Sequence, residues 1–148
     1  MRLWIPLLAV LALSGCDSAA PAEDDLALDV RGNAFTVGDE VEATVANTSD
    51  RAVYLYDCGG RILLDVQERG GAGWETVALV NGDCATARVV PYRLGAGDVQ
   101  AVAFALDAPG TYRLKTAFGT RPGTGADVGG ADWGEAVSDP FRVGAGAP

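Results

Sequence analysis

Carboxylates and cysteines are the side chains of this 148-residue sequence that could do chemistry, since it holds twenty aspartates and glutamates and three cysteines but no histidine. Without imidazole there is no ordinary general base near neutral pH, no Ser-His-Asp or Cys-His nucleophile system and no imidazole metal ligand. Paired carboxylates, as in glycoside hydrolysis, need a rigid cleft. Glycine- and alanine-rich turns are a poor scaffold for a cleft, so we predict no catalytic activity. We also predict no cofactor and no metal.

The acidic balance of the sequence restricts its partners. Eleven basic residues stand against twenty acidic ones, giving a formal net charge of −9. Such a surface repels phosphates, so we expect no nucleic acid partner and no attraction to anionic lipid. Ten of the basic residues are arginine and only Lys115 is lysine, which fits a GC-rich genome or, alternatively, an acidic surface adapted to high salt.

The N-terminal segment has the organisation of a secretory signal peptide. Arg2 supplies an early positive charge, and residues 3–13 form an apolar stretch. Eleven helical residues span only about 16 Å, roughly half of the hydrocarbon core of a bilayer, so a transmembrane helix is not predicted.

The four residues that follow, Leu13-Ser14-Gly15-Cys16, resemble the lipobox of bacterial lipoproteins. The resemblance implies that residues 1–15 are removed and that Cys16 receives two or three acyl chains, enough for a durable anchor. The protein would then be lipid-anchored in the bacterial cell envelope, at the inner or the outer membrane. The alternative is an ordinary signal peptide with a chance cysteine. Processing removes one charged residue, Arg2, and changes the formal net charge to −10.

The next residues are predicted to tether the domain to its anchor. Residues 17–25 contain no large apolar side chain, so they are not expected to join a core. Fully extended, these nine residues reach about 30 Å. We therefore assign 16–25 to the acylated cysteine and its tether.

Two cysteines, Cys58 and Cys84, remain once Cys16 is assigned to lipid. An even pair in an exported chain is most simply a disulfide. The alternative is two free thiols in a metal or redox site, although neither cysteine lies in a Cys-x-x-Cys motif.

Hydrophobic alternation with a period of two predicts a β protein. Turn residues interrupt the alternation every eight to twelve positions, and no segment has convincing helical periodicity. Seven or eight short antiparallel strands predict a two-sheet sandwich over residues 26–143, followed by a flexible tail, 144–148. The strand candidates lie within 26–30, 41–45, 53–55, 62–66, 74–80, 102–106, 112–118 and 141–143.

Several turn motifs resemble those of bacterial immunoglobulin-like sandwiches, among them the bacterial intracellular proteinase inhibitor domain. Residues 109–114, Pro-Gly-Thr-Tyr-Arg-Leu, resemble the tyrosine-corner strand, in which the hydroxyl of Tyr112 would bond to backbone. The resemblance implies an immunoglobulin-like fold, whereas the export signal and the Cys58–Cys84 region depart from the inhibitor pattern. The other motifs lie at 37–41, 47–50, 94–98 and 138–141.

The segment from Gly119 to Glu135 is the one long predicted connection, and its six glycines predict an exposed, mobile loop. Asp127, Asp132 and Glu135 could hold calcium through oxygen ligands, although a solvated acidic loop fits their spacing better. Trp133 either folds back onto the sandwich or anchors a partner.

Tyr54 and Tyr56 are two positions apart and share one strand face. They form either a ligand platform or a half-buried outer face, and we favour the second.

The function predicted from these features is that of a membrane-anchored, non-catalytic binding or structural module of the cell envelope. Its predicted partners are the lipid bilayer, through the acyl anchor, and an envelope protein or polysaccharide. The alternative is a proteinase inhibitor presented from the membrane.

Overall fold

A computed structural model describes residues 21–83, 91–122 and 133–146. Within these residues the backbone forms strands and one 3-10 turn, Glu23–Asp25, and no helix there could span a membrane. The strands are β1 (Leu26–Val30), β2 (Ala34–Thr36), β3 (Glu40–Asn47), β4 (Val53–Leu55), β5 (Leu64–Gly70), β6 (Gly73–Val80), β7 (Tyr92–Leu94), β8 (Val99–Ala105), β9 (Gly110–Gly119), β10 (Trp133–Val137) and β11 (Phe141–Gly144).

The strands form two sheets. The smaller sheet has the order β1-β3-β8 and is antiparallel throughout. The larger sheet is built around β9, which pairs with β10 and β11 along one edge and with β4 and β5 along the other. Strands β7 and β6 extend it beyond β4 and β5, and β2 adds to β11 in parallel.

Alternating apolar side chains from the two sheets meet in one core. Each strand places every second residue inward because successive side chains of a strand point to opposite faces. The small sheet contributes Leu28 and Val45, and the large sheet contributes Leu114, Phe118 and Phe141, all at most 6% exposed. The predicted all-β, immunoglobulin-like sandwich is therefore confirmed.

The described residues hold eleven strands rather than the seven or eight predicted, because β2, β7 and β10 have no counterpart among the predicted strands. Strands β10 and β11 follow one another along β9, with Ser138 between them. The Ser138 amide donates to the Leu114 carbonyl, and the Ser138 hydroxyl accepts from the Leu114 amide, both at 2.9 Å. This side-chain bond replaces a ladder bond and lets the strand break without an unsatisfied buried amide.

Asn47, which is 2% exposed, joins two turns at one end of the sandwich. Its side-chain amide donates to the carbonyls of Arg51 at 2.7 Å, Leu94 at 3.1 Å and Gly95 at 2.8 Å, and its carbonyl oxygen accepts from the Ser49 amide at 3.0 Å. The turn between β3 and β4 is thereby fastened to the turn between β7 and β8.

The N-terminal residues that the structure describes pack onto the same end. Pro21 is buried and lies over Gly134, where an added β-carbon would be 3.2 Å from the Pro21 ring. The Thr48 amide donates to the Asp25 carbonyl at 3.1 Å, and Arg51 forms an ion pair with the Asp25 carboxylate at 3.4 Å. The structure thus differs from the predicted tether, because residues 21–25 join the domain through a small ring and backbone bonds rather than through large apolar side chains.

Candidate functional site

The side of the large sheet that points away from the core carries aromatic, acidic and basic side chains close to one another. We call it the outer face. Its side chains alternate along the strands with buried Val66, Leu114 and Phe118. Its members include Tyr54, Tyr56, Asp65, Trp74, Leu79, Arg113, Lys115, Trp133 and Glu135.

One end of the outer face, which we call the aromatic end, consists of Tyr56 and Trp133. Their ring centroids are 5.7 Å apart with a tilt of 47°, a favourable geometry for aromatic pairs. The indole covers Gly119, its register partner, so closely that an added β-carbon would lie 2.7 Å from the ring. A glycine at position 119 therefore creates the space in which the tryptophan lies.

The prediction of a mobile loop through Glu135 is wrong at its C-terminal end, because Trp133 and Glu135 belong to strand β10 and pair with β9. Of the two alternatives for Trp133, the structure favours folding back, since the indole is half-buried against Tyr56. Asp127 and Asp132 lie outside the described residues, so the predicted acidic loop stays a prediction. The prediction for Tyr54 and Tyr56 is confirmed as a half-buried outer face.

The centre of the outer face carries charge. The Lys115 ammonium contacts the Glu135 carboxylate at 2.6 Å, and Asp65 is the register partner of Lys115 on the neighbouring strand. Burial raises the pKa of Asp65 above its ordinary value. The cation of Lys115 acts in the opposite direction, and the charge of Glu135 raises the pKa further. Burial also raises the pKa of Tyr56, and Asp65 adds to that shift.

The other end of the outer face, which we call the distal end, is formed by the β5–β6 hairpin. The Arg113 guanidinium lies 4.4 Å from the centroid of the Trp74 ring, and its Nε donates to the Gln67 side-chain oxygen at 2.9 Å. This cation–π contact holds the indole against the sheet. On β6, the strand that carries Trp74, Val77 is 50% exposed and Leu79 is 48% exposed.

The outer surface of the small sheet offers less chemistry. A shallow depression of about 690 Å³ lies there, with alanines such as Ala101 and Ala103 among its lining residues. Its charged residues are Asp29, Arg31 and Glu42, of which Arg31 and Glu42 neutralise each other at 2.9 Å. Across residues 21–83, 91–122 and 133–146, no three acidic or cysteine side chains are close enough to hold a metal ion.

The chain around Cys58 brings together the two segments of the predicted disulfide. Cys58 is 2% exposed, and its amide donates to the Arg61 carbonyl at 2.8 Å. Arg61 forms an ion pair with Asp83 at 2.7 Å, and the Asn81 side chain donates to the Ile62 carbonyl at 2.8 Å. Cys84 follows Asp83 directly but lies outside the described residues, so the pairing stays a prediction.

Sequence reasoning found Trp133 and Glu135 but missed Asp65, Lys115, Trp74 and Arg113 as members of one face. Asp65, Arg113 and Lys115 were recognisable only as charged positions beside apolar neighbours, and Trp74 only as an aromatic residue in a predicted strand. Their grouping depends on the pairing of β5 with β9, which joins residues about fifty positions apart. A search for outward positions carrying aromatic or charged side chains would have indicated them without saying which were adjacent.

Comparison with known proteins identifies no family for the chain: no family profile and no curated protein matches it. Similar solved structures include the alkylpurine DNA glycosylase AlkC of Pseudomonas fluorescens bound to DNA containing an abasic site analog (11% identity, TM-score 0.39), where the match covers 83% of this chain but only 31% of that chain. A CARDB domain from Pyrococcus furiosus in complex with di-metal ions has 15% identity and a TM-score of 0.39, and the match covers 88% of this chain and 97% of that chain. A PapD-like domain of human CEP192 has 12% identity and a TM-score of 0.33, and the match covers 97% of this chain and 98% of that chain. At these values the likenesses carry no argument about function.

Proposed function

We propose that the protein is a lipid-anchored, non-catalytic module of the bacterial cell envelope that binds another envelope protein through the distal end of its outer face. The observation that carries the proposal is the β6 strand, which presents Leu79, 48% exposed and opposite Asp65 in register, together with Trp74, which is half-buried under Arg113. Tryptophan and arginine are the residue types most enriched among energetically dominant interface contacts, and exposed aliphatic side chains favour a protein surface as partner.

The charged centre of the face supports contact rather than catalysis. Asp65 and Glu135 flank one cation, Lys115, on an open sheet. Acid–base hydrolysis needs two carboxylates held on either side of a substrate bond in a cleft that excludes water. Carboxylates that lie around a single lysine on an open surface are better suited to orienting a partner than to protonating one.

The sequence supports the anchor and the disulfide that complete the proposal. Cys16 lies directly after a signal-peptide pattern, in the position that a lipobox gives to the acylated residue. The ion pair of Arg61 with Asp83 draws the residue before Cys84 towards the turn that carries Cys58, which favours their pairing. An exported location supplies the oxidising environment that a disulfide requires.

The test of partner binding is a pull-down from envelope extracts with the chain lacking residues 1–16, followed by a matched pair of variants. Leu79→Asp places a charge on the distal end, whereas Val99→Asp places one at an apolar position that is 63% exposed on the small sheet. We expect the first variant to weaken binding at least tenfold and the second to leave it unchanged. Equal loss in both would indicate that charge, rather than the distal end, governs the interaction.

Three other results would replace the proposal. Recovery of a polysaccharide without any protein would change the partner class, and turnover of a glycan or peptide abolished by Asp65→Asn would establish an enzyme. Recovery of a protease whose activity the domain blocks would favour the proteinase inhibitor predicted as the alternative. The anchor is tested separately by mass spectrometry of the membrane fraction, which should find an acylated peptide beginning at Cys16. Unmodified Cys16 in soluble protein would contradict the anchor.

A further inference from the structure

We infer that the aromatic end of the outer face rests against the lipid headgroups, so that Tyr56 and Trp133 contact the bilayer and the distal end points away from it. This orientation rests on the proposed acylation of Cys16. It goes beyond that proposal because acylation alone fixes no orientation: an anchored domain on a long tether could turn any side towards the bilayer.

The length of chain between the anchor and the domain sets the first limit. Pro21 is already buried on the sandwich, so only the five residue steps from Cys16 to Pro21 can separate the domain from the acylated sulfur. Fully extended, five steps reach about 17 Å. This is roughly half the reach expected from the sequence, because residues 21–25 pack on the domain instead of spanning the gap.

The position of Pro21 sets the second limit. Its ring lies over Gly134, the residue directly after Trp133, and Gly134 is the register partner of Phe118 on β9. The Pro21 ring meets the side of Gly134 that faces Phe118 and the core, so the chain enters at the same end of β10 as Trp133 but from the opposite face of that strand. Arg113, which holds Trp74 at the distal end, is six residues from Gly119 along β9, or about 20 Å away. A tether this short brings the aromatic end to the bilayer surface before any part of the distal end.

The chemistry of the aromatic end fits the headgroup region. Tryptophan and tyrosine are enriched at membrane interfaces because their rings have an apolar body and a polar edge. Trp133 and Tyr56 are both partly exposed and in ring contact, so they present one amphipathic surface. The cation beside them, Lys115, is occupied by Glu135, and the chain as a whole is acidic. The contact should therefore depend on the rings and favour zwitterionic over anionic lipid.

The orientation can be measured with the tryptophans of the protein itself. The sequence has three, and signal-peptide removal takes away Trp4, so the mature chain retains Trp74 at the distal end and Trp133 at the aromatic end. Acylated protein carrying either Trp74→Phe or Trp133→Phe is reconstituted into phosphatidylcholine vesicles that contain a dansyl-labelled headgroup. Energy transfer from the remaining tryptophan to the headgroup label falls steeply with distance.

We expect transfer from Trp133 to be at least twice as efficient as transfer from Trp74. Equal efficiencies, or a higher value for Trp74, would overturn the orientation while leaving the anchor intact. The Cys16→Ser protein is the control for the anchor: if the unsubstituted protein bound vesicles no better than this control, acylation itself would be refuted. Replacing a third of the lipid by an anionic one should reduce transfer from Trp133, and an increase would contradict a contact made by the rings.

A second variant tests the tether and does not depend on Trp133→Phe folding. Insertion of about ten glycine and serine residues after Ser18, in the Trp74→Phe background, lengthens the flexible connection. Because the short tether keeps Trp133 at the surface, we expect the insertion to lower transfer from it at least twofold. Unchanged transfer would show that tether length does not set the orientation and would overturn that part of the inference.

Discussion

The hydroxyl of Tyr112 donates a hydrogen bond to the carbonyl oxygen of Ala108 at 3.0 Å, four residues earlier in the chain. The Tyr112 ring is 2% exposed and lies 6.1 Å from the ring of Phe141 in the core. Burial raises the pKa of the hydroxyl, and the charges of Glu68 and Asp107 add to the shift. This is the tyrosine corner that residues 109–114 predict, and it fixes the turn that leads into β9.

Removal of this hydroxyl tests the corner. Tyr112→Phe should lower the free energy of unfolding by about 1 kcal/mol or more, because it leaves the Ala108 carbonyl without its donor and keeps the packed ring. Urea denaturation of the chain lacking residues 1–16 measures the loss. Tyr54→Phe, on the half-buried outer face, is the matched control and should change stability by less than about 0.5 kcal/mol. Equal effects would show that the corner bond contributes nothing particular.

Asn47 should be the costliest polar side chain to truncate. Asn47→Ala removes the donors to three carbonyls in two turns, so we expect a loss of about 2 to 3 kcal/mol. Asn33→Ala, at an exposed position, is the control. Asn47→Asp should be more harmful at neutral than at acidic pH, because an ionised carboxylate offers these carbonyls no donor. A loss below 0.5 kcal/mol for Asn47→Ala would contradict the role of this residue in joining the turns.

Gly119→Ala should displace the indole of Trp133. The added β-carbon would lie 2.7 Å from the ring, closer than packed atoms approach. In the Trp74→Phe background, fluorescence should shift to the red as Trp133 leaves Tyr56 for water, with a stability loss of about 1 to 3 kcal/mol. Gly71→Ala at the hairpin tip, where no atom lies within 4 Å, is the control. An unshifted spectrum would mean that the ring does not depend on the glycine for its position.

The raised pKa of Asp65 predicts a pH dependence with a definite sign. Because the folded state holds this proton more tightly than the unfolded state, the contribution of Asp65 is fully present below its unfolded pKa and is lost as the pH rises through its folded pKa. The change that Asp65→Asn causes in the free energy of unfolding should therefore be more stabilising at pH 7 than at pH 3. Paired denaturation curves at the two pH values give the comparison. A variant that is relatively more stable at pH 3 would reverse the sign and refute the assignment.

Two further variants separate the causes of that shift. Glu135→Gln removes a neighbouring negative charge and should lower the pKa of Asp65 in an NMR titration. Asp65→Asn should in turn lower the pKa of Tyr56, which the carboxylate raises. If neither value moved, the three groups would not be electrostatically coupled across the outer face.

A Cys58–Cys84 disulfide predicts a loss on reduction. The crosslink would close a loop of about 26 residues, which contributes about 3.5 kcal/mol in the chain-entropy model. Reduced wild-type protein and the double variant Cys58→Ala, Cys84→Ala should lose similar amounts of stability. Peptide mapping without reductant should find the crosslinked pair, whereas rapid alkylation of both thiols in native exported protein would rule it out.

The sequence by itself determined the local features of the fold. Alternation at Leu26 and Leu28, or at Val41 and Val45, is enough to say which side chains are inward, because side-chain direction in a strand has a period of two. The corner at Tyr112 was equally predictable, since its hydrogen bond spans only four residues. These features follow from neighbours in the chain and require no knowledge of which strands pair.

Only the tertiary structure decided which outward residues are adjacent. Trp133 meets Tyr56 because β10 and β4 both pair with β9, and no local pattern specifies a register between segments so far apart. The same holds for Asp65 and Lys115 and for the place of Pro21 over Gly134, which shortens the tether. Glycines that predict a loop, such as Gly134, instead allowed close packing inside a strand. Composition predicts flexibility of an isolated segment, whereas the surface that the segment meets determines its structure.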